Sequence, residues 1–152
     1  MIDDRGFDAL IDKIQNEVFA EAKNALGEKG FDRWKNPKYF GMMQAADGHA
    51  CMKGSCGDTM EIYIRVKDGR IESISYVTDG CSSSSIAGSF TAELAMGKSF
   101  AEALDLTGAD VLKEIGTFPR AEEHCAHLAA TTLHKAVNSY LAKRVKGKKQ
   151  SI

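Results

Sequence analysis

The sequence predicts an α+β fold, with a small antiparallel sheet of about three strands and helices packed on one of its faces. Residues 60–67 alternate apolar and polar side chains, which is typical of a half-buried strand. Asp68 and Gly69 form a two-residue hairpin turn, and residues 70–78 return as the antiparallel partner strand. Most of the remaining chain has helical spacing, so helices must bury the apolar face of this sheet.

The sheet is expected to be irregular in two places. A third strand is predicted within residues 42–55, where Gly48 and several polar residues interrupt the alternation. Ile71 is out of phase with the apolar residues of its own strand, which indicates a bulge or a fraying end.

An amphipathic helix is predicted over residues 7–26, before the sheet begins. Apolar residues recur along it at helical spacing: Phe7, Leu10, Ile11, Ile14, Val18, Ala22 and Leu26. We expect Gly27 and Gly30 to end this helix and its apolar side to pack on the domain, with a contact to a partner or a second copy as the alternative. A short helical turn follows and ends at Asn36-Pro37, because the residue before proline avoids the helical region.

Four helices are predicted after the sheet. One follows the Cys81 loop, Ser99 and Glu102 form a capping box that opens a second, and Thr107 begins a third. The last helix is long, with Pro119 in its first turn and basic residues near its end. Its apolar side consists of Leu128, Thr131, Thr132, Ala136, Val137 and Leu141.

Length and composition indicate one compact domain. The chain has 152 residues, of which 43% are hydrophobic and 27% charged, as expected for a globular protein. We divide it into an N-terminal helical extension (1–26), a main domain (27–146) and a basic flexible tail (147–152). The net charge of -1 gives no strong positive potential of the kind that attracts nucleic acid or acidic lipid. No apolar run is long enough to cross a bilayer and the first residues do not resemble a signal peptide, so we expect a cytoplasmic protein.

The stretch from residue 54 to residue 58 contains two candidate metal-ligating side chains close together. Cys56 and Asp58 flank a glycine, which lets the backbone turn sharply, so both side chains can point at one object. Two further loops place a cysteine beside a glycine or a histidine, at Cys81 and Cys125. In a chain expected to be cytoplasmic, such cysteines indicate reduced thiols or metal ligands rather than disulfides. We expect the three loops to meet and to hold a metal or an iron–sulfur cluster.

The ligand chemistry leaves two kinds of site open. Cys81 and Cys125 lie at predicted helix N-termini, where the helix dipole should stabilise the thiolates that bind metal or accept sulfur. Three cysteines with Asp58 or His124 complete a four-coordinate zinc site. The same residues suit a two-iron, two-sulfur cluster, which would be easily lost because a carboxylate oxygen is a harder ligand than thiolate. The spacing matches no compact zinc-finger pattern, so the purpose of the site stays open.

A Cys–His nucleophilic enzyme is a third interpretation, with Cys125 or Cys81 as the nucleophile. It is disfavoured because His124 is adjacent to Cys125 in sequence, and adjacent helical residues do not face each other. Two nearby residues are assigned no ligand role. Cys51 is either inert or exchanges with the neighbouring loop cysteine, and His127 is interpreted as a polar surface or capping residue.

Residues from about 27 to 146 resemble the IscU/NifU N-terminal family of iron–sulfur cluster assembly scaffolds. Five stretches carry the resemblance in one order along the chain: Asn36-Pro37, Cys56-Gly57-Asp58, Gly80-Cys81 before a Ser/Ala-rich helix, Gly97-Lys98-Ser99, and His124-Cys125 followed by Leu128-Ala129. The family has a small antiparallel sheet with helices on one side. The resemblance implies a scaffold and not an enzyme: it receives sulfur from a cysteine desulfurase, builds a labile [2Fe-2S] cluster and transfers it to apo-proteins.

The resemblance also implies roles for individual residues and partners. Cys56, Cys81 and Cys125 would bind the cluster, and Cys125 would be the first acceptor of persulfide sulfur. Asp58 would keep the cluster labile, and His124 would be a fourth ligand or a proton-transfer group. The implied partners are a cysteine desulfurase, apo iron–sulfur recipient proteins, and a ferredoxin as candidate electron donor.

A related zinc-dependent sulfur-transfer branch has a longer insertion between the second and third cysteines and lacks the histidine before the third. The short spacing and His124 therefore favour the scaffold branch, with zinc as a possible substitute at the same site. One segment departs from the family pattern. The family's chaperone-binding Leu-Pro-Pro-Val-Lys is here Phe118-Pro119-Arg120-Ala121-Glu122, which leaves dependence on a dedicated Hsp70 chaperone open. The helix over residues 7–26 is not covered by the resemblance.

Overall fold

Three strands form one antiparallel sheet in the computed structural model, which describes residues 3–150, without the side chains beyond residue 147. β1 (Gly48–Lys53), β2 (Thr59–Lys67) and β3 (Arg70–Thr78) lie in that order, so β2 is the central strand. Asp68 and Gly69 both have positive φ, as the predicted two-residue turn requires. The predicted fold class is confirmed.

The sheet has an irregularity near the hairpin and an added bridge at its edge. The register shifts between Arg65 and Val66, and Val66 pairs with Ile71, so the out-of-phase Ile71 marks a bulge. β1 lies within the window predicted to contain a strand. Before β1, Phe40 forms an isolated parallel bridge with Tyr76 at the free edge of β3, where it covers backbone groups that would otherwise be unpaired.

Five α-helices and one 3₁₀ helix accompany the sheet in the described part of the chain. They are α1 (Asp4–Lys35), α2 (Ser82–Ala95), α3 (Phe100–Asp105), α4 (Gly108–Ile115), the 3₁₀ helix (Arg120–Glu122) and α5 (His124–Gln150). Ser99 caps α3 in the predicted capping box with Glu102, and Thr107 caps α4 in the same way with Asp110. Among the described helices, none combines the length and apolar character needed to span a membrane.

α2 and α5 pack on the inner face of the sheet and form the main core with it. Met60, Ile62 and Tyr76 of the sheet are fully buried in one cluster with Leu133 and Val137 of α5. Burial of each large apolar side chain contributes about 1.5–3 kcal/mol before the cost of ordering it. This core fixes the positions of the first residues of α2 and α5.

α1 consists of two helical segments joined at a kink. Gly27 has a φ of 74° and a ψ of 171°, so it ends the first segment as predicted, and a second segment continues to Lys35. Gly30 lies inside the second segment and does not end it. It is buried, and a Cβ there would lie 3.8 Å from Ile86 Cδ1 and 3.4 Å from Leu26 Cβ, so its missing side chain allows close packing on α2.

The first half of α1 does not pack on the domain, so that prediction is wrong. The exposed apolar side chains are Phe7, Leu10, Ile11, Ile14 and Val18, with 43–55% of each accessible in the isolated chain. Only the second half is anchored, because Leu26 and Arg33 are buried there. Arg33 donates to Ser89 Oγ at 3.0 Å and to Glu93 Oε2 at 2.9 Å on α2.

The last helix also differs from its prediction. Pro119 precedes the 3₁₀ helix instead of lying in the first turn of α5. Thr131 is exposed, because the buried side of α5 is centred on Ala129 and Leu133, and residues two apart on a helix point about 200° apart. α5 continues to Gln150, so helical backbone covers 147–150 of the predicted flexible tail. Residues 151–152 of that tail and 1–2 of the predicted extension lie outside the described residues.

Candidate metal centre

Three of the predicted ligands meet beside the sheet. A carboxylate oxygen of Asp58 and the sulfurs of Cys81 and Cys125 all lie within 4.8 Å of one another. Asp58 directly precedes β2, Cys81 is the N-cap residue of α2, and Cys125 is the second residue of α5. These positions are distant in sequence, so the packing of α2 and α5 on the sheet is what brings the three groups together.

The loop between β1 and β2 is a tight turn, as its glycines predict. The Gly54 N–H donates to the Asp58 C=O at 2.8 Å, and the Gly57 N–H donates to the Gly54 C=O at 3.0 Å. Gly57 has a φ of 90°, a conformation that residues with side chains rarely adopt. Cys56 is exposed in this loop and does not belong to the group of three. The structure therefore brings together Asp58, Cys81 and Cys125, but not Cys56.

A buried serine links the carboxylate to the third cysteine. Ser84 Oγ lies 2.8 Å from Asp58 Oδ2 and 3.4 Å from Cys125 Sγ, within hydrogen-bonding distance of both. Sequence reasoning missed Ser84. Its spacing of three residues from Cys81 at the start of a helix is the signal that would have found it, because residues three apart share a helix face.

Burial raises the pKa of the Cys125 thiol from 9.0 to about 11, and nearby Cys81, Glu122 and Cys56 raise it further. The hydrogen bond from Ser84 acts in the opposite direction. Burial therefore opposes the predicted stabilisation of the Cys125 thiolate by the helix dipole in the metal-free protein. Metal binding at Cys125 must release the thiol proton.

His124 belongs to a second group. A ring nitrogen of His124, a carboxylate oxygen of Glu122 and Cys125 Sγ lie within 4.8 Å of one another. His124 opens α5 shortly after the 3₁₀ helix, and its ring approaches Cys125 Sγ although the two residues are adjacent in sequence. His124 Nε2 is buried and has no hydrogen-bond partner among the described residues, so it forms no nucleophile–base pair with Cys125.

Cys51 and His127 lie outside both groups. Cys51 is exposed on the outer face of the sheet, where burial and then the hydrogen bond and charge of Glu61 raise the pKa of its thiol. His127 is exposed and lines a cleft of about 290 Å³ together with His124 and Leu128. The cleft is also lined by Gly54 and Ser55 of the loop between β1 and β2.

Comparison with known proteins decides the family. Residues 26–147 match the family model of the NifU-like N terminal domain. The chain belongs to this family. This NifU-like chain is 40% identical over 120 residues to the iron-sulfur cluster assembly scaffold protein IscU 1 of Archaeoglobus fulgidus, a match that covers 78% of each chain. It is 34% identical over 125 residues to the iron-sulfur cluster assembly scaffold protein IscU of Escherichia coli, covering 79% of this chain and 97% of that protein.

A solved structure shares the fold of this NifU-like chain. The N-terminal part of a NifU-like protein from Brucella abortus matches with a TM-score of 0.63 at 17% sequence identity, covering 80% of this chain and 98% of that one. The family predicted from the five sequence motifs is confirmed by the family model and the relatives.

Gly80 has a steric role in this NifU-like site that spacing alone did not reveal. A Cβ at Gly80 would lie 2.6 Å from both Asp58 Oδ2 and Ser84 Oγ, closer than real Cβ contacts allow. Any side chain at this position would therefore push the carboxylate or the hydroxyl away from Cys125. Glycine lets the loop before α2 pass directly over the carboxylate.

The donor atoms of the site fit metal cargo. Two sulfurs suit zinc and iron–sulfur chemistry, and the Asp58 oxygen adds one hard ligand. His124 Nε2, which is buried and has no hydrogen-bond partner in the described part of the chain, is a further nitrogen donor beside Cys125. Together they provide the number and kinds of ligand that a four-coordinate metal or a small iron–sulfur cluster requires.

Proposed function

We propose that this NifU-like chain is an iron–sulfur cluster assembly scaffold, in which the cluster is cargo and not a resident cofactor. One observation carries the proposal. The oxygen of Asp58 and the sulfurs of Cys81 and Cys125 converge from three separate elements of a fold shared with proteins named as scaffolds. The unit that performs this function is residues 27–146, supported by the core that α2 and α5 form with the sheet.

The cluster is of the [2Fe-2S] type, held by Cys56, Cys81 and Cys125 with Asp58 or His124 as the remaining ligand. Such a cluster needs four protein ligands. Cys56 is exposed in the glycine-rich turn, so a modest change of that loop would add its sulfur to the group. The exposure of Cys56 and Cys81 also leaves the cargo within reach of a recipient protein.

Cys125 is the first acceptor of sulfur. Its thiolate attacks the outer sulfur of a persulfide on a cysteine desulfurase, a new S–S bond forms on Cys125, and the desulfurase cysteine leaves as thiolate. The hydroxyl of Ser84 donates toward Cys125 Sγ and favours the thiolate that this step requires. The donor would dock at the cleft lined by His124, the residue that precedes Cys125.

The partners of the scaffold are a cysteine desulfurase, which supplies sulfur, and apo-proteins, which receive the cluster. A ferredoxin is the candidate source of electrons for reducing the incoming sulfur. Use of a dedicated Hsp70 chaperone stays open, because Glu122 stands where the family's chaperone-binding segment has lysine. Free thiol ligands suit a reducing compartment such as the cytoplasm.

The test is anaerobic reconstitution with iron, cysteine and a desulfurase, followed by visible absorption and Mössbauer spectra. Wild-type protein should acquire a cluster and pass it to an apo-ferredoxin. Cys81→Ser should acquire little or none, whereas the control Cys51→Ser should behave as wild type, because Cys51 lies on the outer face of the sheet. Equal cluster content in Cys81→Ser and wild type would contradict the proposal.

A zinc-dependent sulfur-transfer protein is the second candidate. It is favoured by one observation, the nearness of oxygen, nitrogen and sulfur donors that also suit tetrahedral zinc. If the protein retains zinc, assembles no cluster and raises the turnover of a cysteine desulfurase, this second function replaces the first. Zinc in a purified sample alone decides nothing, because thiolate sites bind it readily.

A further inference from the structure

Glu122 lies in a ligand group with two residues of the sequence motifs, although the motifs give Glu122 itself no ligand role. The group contains Glu122, His124 and Cys125, whose donor atoms are all within 4.8 Å of one another. It shares only Cys125 with the group formed by Asp58 and Cys81. Cys125 therefore stands between two sets of possible metal ligands.

Backbone hydrogen bonds hold Glu122 close to the start of α5. Glu122 ends the 3₁₀ helix, its N–H donates to the Pro119 C=O at 3.0 Å, and the Ala126 N–H donates to the Glu123 C=O at 3.1 Å across the junction with α5. Glu122 Oε2 then lies 3.9 Å from Cys125 Sγ and 4.0 Å from His124 Nε2.

These separations are those of ligands and not of strong hydrogen bonds. A distance of 4.0 Å between the carboxylate and His124 Nε2 is too long for a hydrogen bond. Two ligands bound to one tetrahedral metal at ordinary bond lengths lie about 3.3–3.8 Å apart, close to the observed spacing. His124 Nε2 is buried and lacks a hydrogen-bond partner among the described residues, which is costly unless something binds it.

We propose that Glu122 is a metal ligand and that, with His124 and Cys125, it forms a second binding site for a divalent transition metal such as ferrous iron or zinc. One oxygen, one nitrogen and one sulfur donor suit metals of this borderline class. Metal binding at this site does not depend on the proposed scaffold function. The use of the bound metal does depend on that function: in a scaffold, the second site holds incoming iron beside Cys125 without occupying Asp58 or Cys81.

The test uses Co²⁺ as the metal, added under anaerobic conditions to Cys81→Ser protein, in which the first group has lost a ligand. Cobalt–thiolate absorption should show binding through one thiolate. Adding Glu122→Gln should weaken binding by about tenfold or more and change the cobalt d–d bands. The matched control is Glu123→Gln, which removes the same charge from the next residue, is exposed, and should leave both affinity and spectrum unchanged.

Two results would overturn the second site. One is the absence of cobalt binding in Cys81→Ser, and the other is equal binding by the Glu122→Gln and Glu123→Gln variants with identical spectra. Glu122 is partly exposed, so its loss should not unfold the protein, and circular dichroism checks this. Cluster assembly by wild-type protein is measured separately. A protein that assembles clusters but shows no effect of Glu122→Gln on cobalt keeps the scaffold function and loses the second site.

Discussion

α5 and the first half of α1 both carry apolar residues at helical spacing, but only α5 buries them. Leu133 and Val137 of α5 are fully buried, whereas Ile14 and Val18 of α1 are about half exposed in the isolated chain. The spacing of apolar residues therefore predicts that a helix forms, but not which surface it meets. The candidate metal centre depends on the buried helix, because Cys125 lies in the first turn of α5.

The largest difference between the two helices should appear in stability. Leu133→Ala removes a fully buried side chain from the core under the sheet and should lower the free energy of unfolding by about 2–5 kcal/mol. Urea unfolding followed by circular dichroism measures it. A loss below about 1 kcal/mol would show that α5 is not anchored as described.

Cys125 and Cys81 should differ in reactivity because one is buried and the other exposed. With a pKa of about 11 in place of 9.0, the thiolate fraction of Cys125 at pH 8 falls by about a hundredfold. Iodoacetamide should therefore alkylate Cys81 of the folded protein much faster than Cys125. The alkylation rate of Cys125 should rise with pH until the pH exceeds the raised pKa. Mass spectrometry of metal-free protein treated with iodoacetamide measures both sites. Equally fast labelling at pH 8 would contradict the burial of Cys125.

Arg33 tests whether the second half of α1 is anchored. It donates to Ser89 and Glu93, and its guanidinium lies 4.0 Å from the centre of the Phe90 ring. Arg33→Ala should lower the free energy of unfolding by about 1–3 kcal/mol, because the buried Ser89 hydroxyl loses a hydrogen-bond partner. Lys23→Ala, on the exposed part of the same helix, is the control and should change little. The same small effect for both variants would mean that α1 is not held by α2.

Ile14 should show the smallest effect. Because 49% of the side chain is accessible, Ile14→Ser should leave the free energy of unfolding within about 0.5 kcal/mol of wild type. The measurement is the same urea titration, repeated at two protein concentrations. A large loss that grows on dilution would instead show that a second copy covers this face in solution.

The sheet and the capped helices could be predicted because their signals are local. Alternation over residues 60–67, the Asp68-Gly69 turn and the Ser99–Glu102 capping box depend only on neighbours in sequence. The packing of α1 could not be predicted in this way. Gly30 resembles a helix end until its contact with Ile86 is known, and that contact is between residues far apart in sequence.

The residues of the candidate site also fall into those that the sequence predicted and those that it did not. Asp58, Cys81 and Cys125 could be found because their residue types are ligands and their loops contain glycine or histidine. Ser84 and Glu122 were missed, because a serine in a serine-rich run and a glutamate near a helix start are ordinary in sequence. The packing of α2 against α5 brings Ser84 within reach of Cys125, whereas Glu122 approaches Cys125 through the turn that joins the 3₁₀ helix to α5. The raised pKa of Cys125 likewise follows from burial, which a motif does not report.

The most direct test of the central claim is the rate of cluster transfer from wild-type and Asp58→Ala protein to an apo-ferredoxin. The claim is that the Asp58 oxygen makes the cluster a labile cargo, because carboxylate is a poorer ligand for iron–sulfur clusters than thiolate. Cluster-loaded Asp58→Ala should hold its cluster longer and transfer it more slowly than wild type. Equal transfer rates from both proteins would contradict the claim.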